Sequence, residues 1–143
     1  MGLIEIASGN SIWRGMDYYN EKKVVSWEKT GPDSYSGMVS GNRAEPYTVH
    51  IDRQHPRKSV CNCPFAYGMR VICKHMVALL FTAEPETAEN FMKEVEKYEA
   101  EEEKRAQQHC ADLKKYVKSL SKSELQEQLL NALVQLEERG RYY

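Results

Sequence analysis

Four metal-competent donors fall within fifteen residues: Cys61-Asn62-Cys63, nine further residues, then Cys73-Lys74-His75. No other feature constrains the fold of this chain as tightly. In an extended segment residues i and i+2 point the same way, so Cys61 and Cys63 present both thiols to one side. Pro64 stops a strand immediately after, and a loop pliable at Gly68 returns the chain to Cys73 and His75. Zinc takes thiolate and imidazole ligands in a tetrahedron, and three cysteines with one histidine form a closed set with no open position for a reacting water. The first expectation is therefore one structural Zn²⁺ held by Cys61, Cys63, Cys73 and His75. Incidental buried thiols beside a surface histidine would account for the residue types but not for their spacing.

The fourth cysteine, Cys110, stands apart in a helical-looking stretch. Four cysteines in a secreted chain would raise the question of two disulfides. Met1 to Asn10 has neither a basic n-region nor a long apolar stretch, so no secretory signal is expected. Ile6 breaks the myristoylation pattern that Gly2 would open. No apolar run approaches the ~20 residues of a membrane span. The expected compartment is the cytoplasm, or the nucleus in a eukaryote, and in a reducing compartment clustered cysteines favour a metal over bridges.

Around the donors the pattern changes twice. Ser11 to Glu21 reads as a short helix with Trp13, Met16 and Tyr19 on one side and Asn10 or Ser11 as cap. Residues 22–60 read as strands: Val24 to Glu28, a turn at Gly31-Pro32-Asp33-Ser34, a run through Tyr35, Met38 and Val39, then Tyr47 to Asp52 with period two. Short connections make this a three- or four-stranded antiparallel meander. Met76 to Phe81 is apolar on nearly every side and suits a short buried helix, with Thr82 as a cap and Pro85 opening the next helix. Residues 86–139 read as two amphipathic helices joined at a Ser121–Glu124 capping box, a plausible helical hairpin ended by Gly140. The fold class is α+β: a short N-terminal helix, a small β-meander with a zinc site, and a helical C-terminal arm. The domains are expected at 1–83 and 84–143.

The spacing resembles the SWIM zinc-finger family, whose pattern is Cys-x-Cys, a variable loop, then Cys-x-His. Pro64 after Cys63, the apolar helix continuing from Cys73-Lys74-His75, the upstream Tyr18-Tyr19 and the meander are similar to that family as well, over roughly residues 11–83. The resemblance implies binding to DNA or to proteins, and it implies nothing about residues 84–143. Family members include helicase-type ATPases, but no GxxxxGK[ST] phosphate loop accompanies the donors here.

The overall charge of −1 conceals an asymmetry. Residues 1–82 carry ten Lys/Arg against seven Asp/Glu, a net +3, and residues 83–143 carry ten against fourteen, a net −4. Arg53, Arg57, Lys58, Arg70 and Lys74 flank the donors, and Phe65 and Tyr67 lie in the donor loop. They are the candidate nucleic-acid contacts: cations for phosphates, aromatics for stacking on unpaired bases. The same cations would also offset the charge of about −1 that three thiolates leave on Zn²⁺. Trp13, Tyr18, Tyr19, Trp27 and Tyr47 are expected to be packing residues. His50 and His55 have no partner at ligand spacing, and His109-Cys110 is either helix surface or a second ion site. Leu125, Leu129, Leu133 and Leu136 share one helix face, which packs within the chain or forms a seam for a protein partner or a second copy. The expected function is non-enzymatic: a zinc-dependent nucleic-acid-binding accessory module, with a protein-interaction adaptor as the alternative. Neither a membrane nor a small-molecule substrate is expected as a partner.

Overall fold

A computed structural model describes residues 2–141 of the chain. It holds a helix α1 (Leu3–Ile6), a helix α2 (Gly9–Asn20), four strands β1 (Val24–Gly31), β2 (Ser34–Val39), β3 (Tyr47–Asp52) and β4 (Val60–Cys61), and three further helices α3 (Lys74–Ala83), α4 (Pro85–Ser119) and α5 (Lys122–Gly140). The strands form one antiparallel sheet in the order β1-β2-β3-β4.

The meander follows from the turns. Gly31 pairs with Ser34 around Pro32-Asp33, and β2 then runs against β3 in unbroken register from Ser34↔Asp52 to Val39↔Tyr47. Along β3, Tyr47, Val49 and Ile51 are buried while Thr48 is exposed, as a period-two strand with one wet face requires. A single 3₁₀ turn at Pro56–Lys58 swings the chain back, and β4 sets Cys61 opposite Val49.

The core lies between this sheet and the helices. Every residue of α3 from His75 to Phe81 is buried, which explains its lack of a polar face. One side of α3 packs on the sheet and the other on α2. The α2–α3 approach is close enough to need glycine: a Cβ on Gly15 would lie 2.5 Å from the side chain of Val77.

Several local details differ from the sequence reading. The helix expected at Ser11 starts at Gly9, and its cap is neither Asn10 nor Ser11 but Ser8, whose extended backbone lets Oγ accept from the Ser11 N–H at 3.2 Å. Its buried side is Ile12, Gly15 and Met16, so Trp13 stays 45% exposed. Thr82 caps nothing; its hydroxyl bonds back to the Ala78 carbonyl at 2.8 Å. The short α1, which buries Leu3, has no counterpart in the sequence reading. Lys22 follows α2 with φ +57°, and the pair Lys23 N–H to Tyr18 O and Lys22 N–H to Tyr19 O closes the helix as a Schellman motif.

The compact unit runs to Glu94, so it includes the first turns of α4. Ala88 is buried there, and the Phe91 ring meets Trp13 at 5.2 Å and Phe81 at 6.4 Å. The boundary drawn from sequence after residue 83 falls between α3 and α4.

A second unit begins at Val95 and holds the rest of α4 and α5. Ser121 caps α5 as expected, accepting from the Glu124 N–H at 3.2 Å. Among the described residues α5 buries none, and Leu129, Leu133 and Leu136 are 62%, 51% and 62% exposed. The leucine face is therefore not packed within its own unit. No helix among the described residues is long and apolar enough to cross a membrane.

Candidate metal centre

Each of the four donors is fixed by a different piece of backbone. Cys61 ends β4. Asn62 is pinned across to β3, its side-chain carbonyl accepting from the Thr48 N–H at 2.9 Å and its own N–H donating to the Thr48 carbonyl at 3.3 Å. This holds the Cys-x-Cys pair in extended form, so both thiols face one way. The Cys63 carbonyl accepts from the N–H groups of Ala66 and Tyr67 at 3.2 and 2.9 Å, starting the turn that Pro64 permits. Gly68, at φ +71°, completes the reversal. Cys73 is the N-cap of α3 and His75 lies in its first turn.

The result is one enclosed cluster. Cys61, Cys63, Cys73 and His75 are between 1% and 4% exposed, and their donor atoms all lie within 4.8 Å of one another. His75 Nδ1 is 3.7 Å from Cys61 Sγ and 3.8 Å from Cys73 Sγ. On a tetrahedral zinc with ordinary bond lengths, neighbouring sulfur and nitrogen ligands stand about 3.6 Å apart. Donor type, separation and burial thus fit Zn²⁺, with Nδ1 as the histidine ligand.

The electrostatics agree. A hydrogen bond from Cys61, reinforced by His75, pulls the Cys73 thiol down to about 4. Cys61, as the partner that keeps the proton, is pushed up, and burial raises Cys63. Three buried thiols this close cannot all ionise without a cation among them, and a divalent ion supplies that charge.

The His75 ring is packed between two aromatics: Tyr47 at 4.5 Å between centroids and Tyr18 at 5.4 Å. A cation covers each, Arg43 at 4.2 Å from the Tyr47 ring and Lys74 at 4.8 Å from the Tyr18 ring. The packing expected of Tyr18 and Tyr47 is thus packing around a ligand. Tyr19 meets Phe81 at 6.0 Å and Trp27 meets Tyr35 at 5.9 Å.

Residues 47–84 match the family model of the SWIM zinc finger. The match spans β3, β4, the donor loop and α3, and the four donors it brings together make this segment a zinc-binding module. No curated protein and no solved structure matches the chain.

The seven candidate nucleic-acid contacts divide into groups. Arg57, Lys58 and Arg70 line one concavity with Gln54 and His55. Phe65 and Lys74 line another, beside His75. Arg53 is tied to Glu84, its Nη1 lying 2.7 and 3.0 Å from the two carboxylate oxygens. Tyr67 stands 75% exposed on the donor loop. His50 is held by the Ser36 hydroxyl, 2.8 Å from Nδ1. His109 and Cys110 lie exposed on α4, outside the one Cys/His/carboxylate cluster among the described residues. The sequence reading missed Asn10, Arg14 and Asn42, which line the cavity beside His75. They come from α2 and the β2–β3 loop, and no spacing in the sequence ties them to the donors.

Proposed function

We propose that Cys61, Cys63, Cys73 and His75 hold one structural zinc ion, and that the module it builds binds nucleic acid as a non-enzymatic accessory factor. Four protein ligands close the tetrahedron, so the ion's work is to clamp the end of the sheet to α3 and to shape the donor loop. The observation that carries the binding reading is the wall around Arg57, Lys58 and Arg70: three cations in one concavity with no carboxylate lining it. Phosphates are the natural counterpart of such a surface. The donor loop, which also carries Arg70, exposes Phe65 at 60% and Tyr67 at 75%, aromatic area of the kind on which unpaired bases stack.

The test is affinity for single- and double-stranded oligonucleotides, by fluorescence anisotropy across a salt series. Binding should weaken linearly in log–log with salt. Replacing Arg57, Lys58 and Arg70 together by Ala should flatten the slope by about 2–3 if each meets a phosphate. Absence of binding at low salt would refute the reading. The exposed leucine face of α5 favours a second one, an adaptor that docks a protein partner or a second copy through the arm.

A further inference from the structure

Against the metal centre lies a cavity of about 500 Å³, walled by the first turns of α2, the donor loop and the start of α3. Arg14 and Lys74 line it, with Asn10, Asn42 and Phe65 and with Cys63, Cys73 and His75 of the metal centre; no carboxylate does. Neither cation is ion-paired among the described residues. Lys74 is held in place by the Tyr18 ring beneath its ammonium. Together the two cations exceed the charge of about −1 that three thiolates leave on Zn²⁺, and a concave wall with a net positive charge attracts an anion. The N-terminus of α2 adds to this: Ser8 Oγ takes the Ser11 N–H, and the N–H groups of Gly9 and Asn10 stand at the positive end of the helix.

The histidine closes the inner wall. His75 also lines the cavity, is 4% exposed, and its Nε2 has no hydrogen-bond partner among the described residues. Because Nδ1 faces the thiols, a metal-bound neutral imidazole carries its proton on Nε2. That proton lies on the Gly41 side of the ring, with under 1 Å² of accessible surface.

We propose that this cavity binds the phosphate of a nucleotide, with Arg14 and Lys74 on its oxygens and Phe65 as the wall against which the base stacks. The preference for an anion rests on the cavity itself. The choice of a nucleotide over other phosphates rests on the nucleic-acid reading above.

Isothermal titration of the zinc-loaded full chain tests it, with AMP, adenosine, inorganic phosphate and the oligonucleotide (dT)₈ as probes. AMP should bind at least ~10-fold tighter than adenosine or phosphate, since only it engages both halves of the site. Arg14→Gln, at an exposed α2 position, should weaken AMP at least ~10-fold with zinc content and Tm unchanged. Phe65→Leu should weaken AMP but not inorganic phosphate. An equal loss for (dT)₈ in Arg14→Gln assigns the site to a nucleotide within a strand; loss for AMP alone assigns it to a free nucleotide. AMP binding no tighter than adenosine, or undiminished in Arg14→Gln, overturns the proposal. If (dT)₈ binding falls in the Arg57/Lys58/Arg70 variant and is untouched in Arg14→Gln, while AMP does not bind, this cavity fails and the proposed function stands. Intact AMP binding with no oligonucleotide binding leaves the cavity standing as a free-nucleotide site and refutes the proposed function.

Discussion

All the buried apolar side chains lie before Glu94, and among the described residues from Val95 onward none is buried. The first region buries Phe81, Met76, Leu79 and Leu80 almost completely. The second displays Leu113, Tyr116, Val117 and the whole leucine face of α5, each at least 36% exposed. Yet both regions carry helices with clear apolar periodicity. Periodicity therefore records that a helix has a face to cover, and only the rest of the fold decides what covers it. In the first region the cover is a sheet, and it is joined to α3 at the four metal donors.

If that joint carries the first region, breaking it should have the largest effect. Cys73→Ser removes the ligand at the N-cap of α3, and structural zinc contributes folding free energy outright. We expect zinc stoichiometry to fall and limited proteolysis to open residues 47–84, while α5 gives the same fragments as before. Unchanged protease resistance of the variant would mean that sheet and α3 hold together without the ion.

Next in size is the α2–α3 contact. Gly15→Val places methyls where a bare Cβ would already lie 2.5 Å from Val77, so α2 must shift. Overpacking of this kind costs about 1–3 kcal/mol, read as a lowered midpoint in urea with zinc still bound. A smaller effect of opposite sign is expected at the end of the same helix. Lys22 occupies the left-handed position of a Schellman cap, and a non-glycine residue there is strained by about 1–2 kcal/mol. Lys22→Gly should recover roughly 1 kcal/mol of that, seen as a raised Tm.

These sites also mark what the sequence made legible. The strand Tyr47–Asp52 could be read because side-chain alternation is a local property, and α3 because a run apolar on all sides has to be buried. The donors could be read because both ligand pairs are two residues apart, a distance over which local geometry alone sets direction. Ser8 as the cap of α2 was hidden by Asn10 and Ser11, which are equally good cap residues a turn too late. Lys22 carries no turn signal of its own. The wall formed by Arg14, Asn42 and Lys74 was illegible because it is assembled from three elements by the packing of α2 on α3, which no one-dimensional spacing encodes.

The smallest effect on stability belongs to the outward-facing region, and there it is the more telling for being small. Leu129 and Leu133 are 62% and 51% exposed, so replacing both by Gln removes little buried surface. Gln is nearly as good a helix former as Leu, so α5 itself should persist. We expect the unfolding midpoint of the zinc-bound region to stay within about 0.5 kcal/mol of the parent, the usual range for surface positions. The informative measurement is mass in solution by light scattering. If the leucine face is a seam between copies, the parent chain should associate with rising concentration and the double variant should remain monomeric, because an apolar stripe at helical spacing loses its packing when two central positions become polar. If the parent is monomeric and the variant identical to it, the face is reserved for a different protein, and capture of that partner should be lost in the variant. A fall in the midpoint by more than ~1 kcal/mol would instead show that these leucines are buried within the chain, and the contrast between the two regions would collapse.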